Sequence, residues 1–104
     1  MDLAEKSSLT VRLDKWLWAA RFYKSRALAK RAISLGKIKI SGNRCKASRL
    51  VSTGTVIHLK QGMYERKVVI AGISEKRNSA LIASGLYTET PESIKLNQEL
   101  KESI

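Results

Sequence analysis

A single cysteine, a single histidine and a single proline occur in 104 residues. One cysteine, Cys45, cannot close an intrachain disulfide, which fits a reducing cytoplasm. Cys45 and His58 alone cannot build a metal-ligand cluster. There is no P-loop and no GxGxxG element. Most carboxylates fall in the last third, and no spaced pair faces an expected cleft, so acid–base catalysis lacks its groups. No apolar run is long enough to span a bilayer, and the polar opening MDLAEKSS is no signal peptide. The expectation is a cytoplasmic monomer that is not an enzyme, holds no metal or cofactor, and enters no membrane.

Negative charge is the other scarce commodity. After Asp14 the next acid is Glu65, and twelve cations lie between them. Residues 1–50 hold thirteen cations and three acids, whereas residues 51–104 hold seven and six. A solvated face mixes the signs and sets ion pairs three or four residues apart on its helices. Here Arg26 and Lys30 are like charges four apart, and no carboxylate stands in FYKSRALAKRA to balance them. Crowding one sign into half of a small domain costs stability that a polyanion relieves. Nucleic acid is the first partner this implies, and an anionic membrane surface the second.

Periodicity places these cations. Leu13, Trp16, Leu17 and Ala20 share one helical face, which predicts a helix over Leu13–Phe22. Trp18 lies on another side of it, beside Phe22 and Lys15, and these aromatics are either a base-stacking platform or covered by the C-terminal segment. Ser25 caps a second helix, Arg26 to Leu35, that Gly36 stops. Leu28, Ala29, Ala32, Ile33 and Leu35 form its apolar arc, and Arg26, Lys30 and Arg31 its basic side. Ile38 and Ile40 then alternate with Lys37 and Lys39, Ser41-Gly42-Asn43 turns, and Arg44-Cys45-Lys46 returns. Thr55–Lys60 and Arg66–Ile73 read as a hairpin. Residues 74–79 read as a loop, Ala80–Leu86 as a short helix, and Thr90-Pro91 opens a last helix with Leu96, Leu100 and Ile104 as its stripe. Residues 1–8 read as a frayed leader.

Arg26, Lys30 and Arg31 suit a phosphate-contacting row that Lys37, Lys39, Arg44, Lys46 and Arg49 extend along the hairpin, with Arg21 and Lys24 adjoining. Ser25, Ser41, Asn43 and Ser48 add hydrogen-bonding groups for sugar or phosphate. His58 reads as a strand histidine, and Cys45 as a small strand residue whose cationic neighbours act to lower its pKa.

Fixed spacings then carry a resemblance. Arg12-Leu13-Asp14-Lys15-Trp16-Leu17, Lys24-Ser25-Arg26 with Ala29 and Ala32, Ile33 with Gly36, Ile38-Lys39-Ile40-Ser41-Gly42, Lys46-Ala47-Ser48 and the stretch from Val51 to Ile57 together resemble the alpha-L RNA-binding domain family, named after ribosomal small-subunit protein S-four. RLDKWLWAARFYKSR, GNRCKASRLV, LKQG and ERKVVIAGISEKR extend the likeness toward bacterial heat-stress members that associate with the ribosome. The resemblance implies an α+β fold, with two N-terminal helices packed on a small, mostly antiparallel sheet, and a C-terminal helix beyond. It implies one domain over 1–104, with the RNA-binding core at 12–57, sheet completion and a short helix at 58–88, and the last helix at 89–104.

By the same resemblance, the partner is ribosomal RNA of the free large subunit stalled with a nascent chain on peptidyl-tRNA, in recycling after heat stress. Arg12, Lys15, Ser25, Arg26, Lys30, Lys37, Lys39, Lys46 and Ser48 are the contacts it implies. Such members carry a longer, strongly basic C-terminal segment, whereas residues 89–104 here hold four acids and two lysines. The competing readings are a DNA-binding helix-turn-helix module and an RNA-binding accessory domain of an RNA-modifying enzyme.

Overall fold

The computed structural model describes residues 9–103; the leader expected at 1–8 and Ile104 lie outside the described residues. Two short strands, β1 (Val11–Arg12) and β4 (Leu50–Val51), pair with each other. Helix α1 (Leu13–Ala19) and helix α2 (Arg26–Ser34) follow β1. Strands β2 (Ile38–Ile40), β3 (Asn43–Arg44), β5 (Val56–Gln61), β6 (Tyr64–Ile70) and β7 (Tyr87–Glu89) form a sheet in the order β3-β2-β5-β6-β7. Every strand pairing among the described residues is antiparallel. A short helix α3 (Ala80–Ala83) leads through a 3-10 turn into β7, and α4 (Pro91–Ser103) follows. The architecture is α+β, as the resemblance implied.

The helix ends are set by local chemistry. Helix α1 was expected to run to Phe22 and stops three residues earlier. Arg21 adopts φ +66°, its N–H bonds the Trp18 carbonyl at 3.1 Å, and the Phe22 N–H bonds the Leu17 carbonyl at 2.9 Å. That is a Schellman stop with arginine where glycine is usual, so the sequence carries no warning of it. Helix α2 ends the same way with glycine in place: Gly36 has φ +78°, and the N–H groups of Gly36 and Lys37 bond the carbonyls of Ile33 and Ala32. Its start is the expected one, Ser25 Oγ accepting from the Leu28 N–H at 3.1 Å.

The core lies between the helix pair and one face of the sheet. Trp16, Leu13 and Leu17 of α1 and Ala29, Ala32 and Ile33 of α2 meet Ile38, Ile40, Ile57, Leu59, Val68 and Ile70 of the sheet. Trp16 is fully buried, and its indole N–H donates to the Gly72 carbonyl at 2.9 Å, as a buried tryptophan requires. Leu28 and Leu35 were expected in the apolar arc of α2 but are exposed, because only the narrow stripe of Ala29, Ala32 and Ile33 faces α1 and the sheet.

The β2–β3 turn takes two residues, Ser41 and Gly42, both at positive φ, and not the three expected. That is the hairpin turn whose twist matches the strands, and it limits the return strand to Asn43–Arg44. Strands β5 and β6 are paired from Val56↔Val69 to Gln61↔Tyr64, a register closer to the bend than expected. The short strands β1, β4 and β7 give no period-two signal, being two or three residues long. Thr90 Oγ1 accepts from the Ser93 N–H at 3.2 Å and caps α4 as the Thr-Pro pair suggested.

Candidate nucleic-acid interface

Helix α1 has no side-chain cap. Its first orphan N–H groups are satisfied instead by the loop before β4: Leu13 donates to the Arg49 carbonyl at 2.8 Å and Asp14 to the Ala47 carbonyl at 3.2 Å. This fixes Lys46, Ser48 and Arg49, all exposed, beside the start of α1.

The same helix turn holds a fully buried carboxylate, Asp14. Arg12 donates to it twice, Nε to Oδ1 and Nη2 to Oδ2, each at 3.2 Å. Arg26 Nη2 reaches Oδ2 at 3.5 Å from the first turn of α2. Burial pushes the carboxyl up, but the Arg12 hydrogen bonds, the Arg26 and Arg12 charges and the Lys15 N–H outweigh it and hold the group below its ordinary value. The expectation that no carboxylate balances the cations of FYKSRALAKRA is therefore corrected for Arg26. The tie joins residues twelve apart on two helices, and the spacing within α2, where Arg26 and Lys30 share a side, gives no sign of it.

Two further candidates are also engaged. Lys15 Nζ pairs with Glu75 at 3.1 Å, and Arg21 Nη1 donates to the Asn78 carbonyl at 2.9 Å. Both ties lead to the loop 74–79, away from the start of α2. Arg44 Nη2 folds back onto the Ser34 carbonyl at 2.9 Å, covering Gly36 at the end of α2.

Lys24, Lys30, Arg31, Lys37, Lys39, Lys46 and Arg49 are exposed, and none forms a salt bridge among the described residues. Arg31 and Lys37 share a shallow groove of about 270 Å³ with Lys60, Tyr23, Leu28 and Leu35. Lys39 departs from the expected row. Ile38 and Ile40 point into the core, so Lys39 lies on the opposite face of the sheet, in register with His58. Ser25 is spent on its cap, while Asn43 and Ser48 are exposed on the β3 side and in the fixed loop. The structure thus brings Arg12, Arg26, Lys46, Ser48 and Arg49 to one end of the helix pair, and Arg31, Lys37 and Arg44 to the other end of α2.

The aromatic alternative is decided for Phe22. Its ring packs on Trp16 and on Tyr87, with centroids at 5.8 and 4.7 Å, and the Arg66 guanidinium lies over it at 5.2 Å. It is a partly buried packing residue, shared between the core and Arg66. Trp18 is half-buried. Burial pushes the Cys45 thiol up and outweighs Arg49, contrary to the lowering that its basic neighbours suggested, and the residue lies just past β3.

The S4 domain family matches residues 11–57. Heat shock protein 15 of Escherichia coli strain K12 is 46% identical over 98 residues, spanning 94% of this chain and 74% of that protein. The RQC P-site tRNA stabilizing factor of Bacillus subtilis strain 168 is 35% identical over 80 residues, 75% of this chain and 90% of that protein. A solved trimeric structure of Vibrio cholerae heat shock protein 15 superposes with a TM-score of 0.84 at 46% identity, covering 88% of this chain and 92% of that one.

Proposed function

This chain belongs to the heat shock protein 15 family, and from that premise we propose that it is a cytoplasmic factor that binds structured ribosomal RNA on free large subunits carrying a stalled nascent chain, in heat-stress ribosome recycling. The family is not enzymatic. One observation carries the reading: within the S4-matched segment, Lys30 and Arg31 on α2, Lys24 just before it, and Lys46 and Arg49 in the loop bonded to the start of α1 are exposed without any salt bridge among the described residues. An array of fixed, uncompensated cations suits the phosphate geometry of folded RNA, where shape and backbone dominate recognition. The Bacillus relative is named for stabilizing P-site tRNA, which supports a site near peptidyl-tRNA.

The test is Lys30→Glu with Arg31→Glu. Neither residue forms a salt bridge among the described residues, and unchanged far-UV circular dichroism checks that the variant folds. Binding to ribosomal RNA weakens at least tenfold, about 1.4 kcal/mol. If about six phosphates are engaged, native binding falls with salt with a slope near −5. A folded variant of undiminished affinity would refute the assignment of that helix. Crosslinks from the native chain map to large-subunit RNA. We take one copy of the chain as the binding unit, and sedimentation showing a stable trimer would overturn that.

A further inference from the structure

The sheet has a second face, turned away from both helices. Lys39 of β2 is in register with His58 of β5, and His58 with Lys67 of β6. Lys37 and Lys60 stand beside this row, and α4 closes one side with the exposed Leu96. The result is a groove of about 540 Å³. None of its four lysines forms a salt bridge among the described residues. Two carboxylates are present, Glu65 opposite Lys60 and Glu92 on α4, and neither takes up a lysine. Arg66, which also borders the groove, is turned to the other face and held by Glu89. His58, Lys60, Lys67 and Leu96 all lie beyond the S4 match at 11–57.

We propose that this sheet face is a second RNA contact, in which a phosphodiester backbone lies along Lys39, His58 and Lys67 with Lys37 and Lys60 at its flank. The inference rests on the RNA-binding reading above and assigns it a surface outside the S4 segment. Phosphate is favoured over a protein partner because four lysines and His58 line the groove against two carboxylates, it holds no Phe, Tyr or Trp, and Leu59 and Leu96 are its only leucines. In the free protein, burial lowers the His58 pKa first, with Lys67 and Lys39 adding to it and Glu65 opposing. Glu92 faces the same groove from α4. A phosphate beside the row raises that pKa, so occupancy draws a proton onto His58 and binding tightens as pH falls through the bound-state value toward the lower free-state one.

The experiment uses the full chain and a large-subunit ribosomal RNA fragment. In Lys60→Gln with Lys67→Gln, the affinity drops about threefold or more and the salt slope shrinks by about 2, one for each lost phosphate contact. In the native protein, the His58 ring resonances titrate at higher pH when RNA is bound. Unchanged affinity and slope in this variant, beside clear weakening by Lys30→Glu with Arg31→Glu, would overturn the second contact and leave the first. A His58 midpoint indifferent to RNA also overturns it. If the native chain binds no ribosomal RNA, both readings fall together.

Discussion

Replacing Asp14 by asparagine isolates the contribution of the buried carboxylate. Asparagine keeps the size and removes the charge that Arg12 and Arg26 share. Breaking a fully buried ion pair costs roughly 3–5 kcal/mol. That range is too high here, because the side chains of Arg12 and Arg26 are 42% and 41% exposed and can turn to water. The relevant loss is that of hydrogen bonds to a charged group, about 2 kcal/mol. In a domain of this size that lowers Tm by roughly 8–16 °C. Circular dichroism melts at pH 7 measure it. The Asp14 pKa is depressed in the folded protein, so its contribution is complete above the unfolded value near 3.9 and is lost as pH falls toward the folded value. The gap between native and variant therefore closes by about 1.4 kcal/mol per pH unit below 3.9. Equal melting at pH 7, or a gap that persists undiminished in acid, would show that Asp14 fills space and does not organise charge.

Two other substitutions probe the frame that holds the site. Gly36→Ala places a Cβ at φ +78° and 3.4 Å from the Arg44 guanidinium carbon, and it lowers stability by about 1–2 kcal/mol in urea titration. An unchanged midpoint would mean the Schellman stop of α2 is looser than drawn. Glu89→Gln weakens the clasp in which Arg66 bonds Oε1 at 3.0 and 3.2 Å and Ser93 bonds Oε2 at 2.6 Å, costing about 1.5 kcal/mol at pH 7. Burial raises the Glu89 pKa, but Ser93, Arg66 and Asn97 bring it below its ordinary value. This loss also disappears on acidification below about 4.3, the unfolded value, and a gap independent of pH would contradict it.

The sequence carried the helix pair, the two hairpins and the capped last helix because each has a repeating signal or a punctuating residue. Ser25, Gly36, Ser41-Gly42 and Thr90-Pro91 mark boundaries by their own backbone or side-chain chemistry. The premature end of α1 was not legible, since Arg21 takes a glycine's conformation and is held there by long-range ties, its guanidinium on the Asn78 carbonyl and the packing of Phe22 on Tyr87. The strands β1, β4 and β7 were not legible because their pairing is long-range. At the site, the exposure of Lys30 and Arg31 followed from the helical period. The ties of Lys15 to Glu75 and Arg21 to Asn78 span 60 and 57 residues and have no local trace. Lys39 was legible in principle, because alternation with two core isoleucines puts it on the far side of the sheet.

The internal ties divide the cations into two kinds. Lys15 meets Glu75, whose side chain is 75% exposed, and such a surface pair is worth at most about 1 kcal/mol. A phosphate can displace Glu75 at that small cost, so Lys15 remains available. Arg12 and Arg26 meet a carboxylate that is wholly buried and cannot leave. Two guanidiniums share one negative charge, so one net positive charge stays at that spot, with the Arg12 fork held by two hydrogen bonds and Arg26 by one longer contact. Fixing a free arginine side chain costs about 1.5–2 kcal/mol of rotamer freedom on binding. Asp14 meets much of that cost when the protein folds. On the proposed RNA-binding reading, a carboxylate inside the basic face works with anion binding: it reduces the charge by one and positions Arg12 for a phosphate.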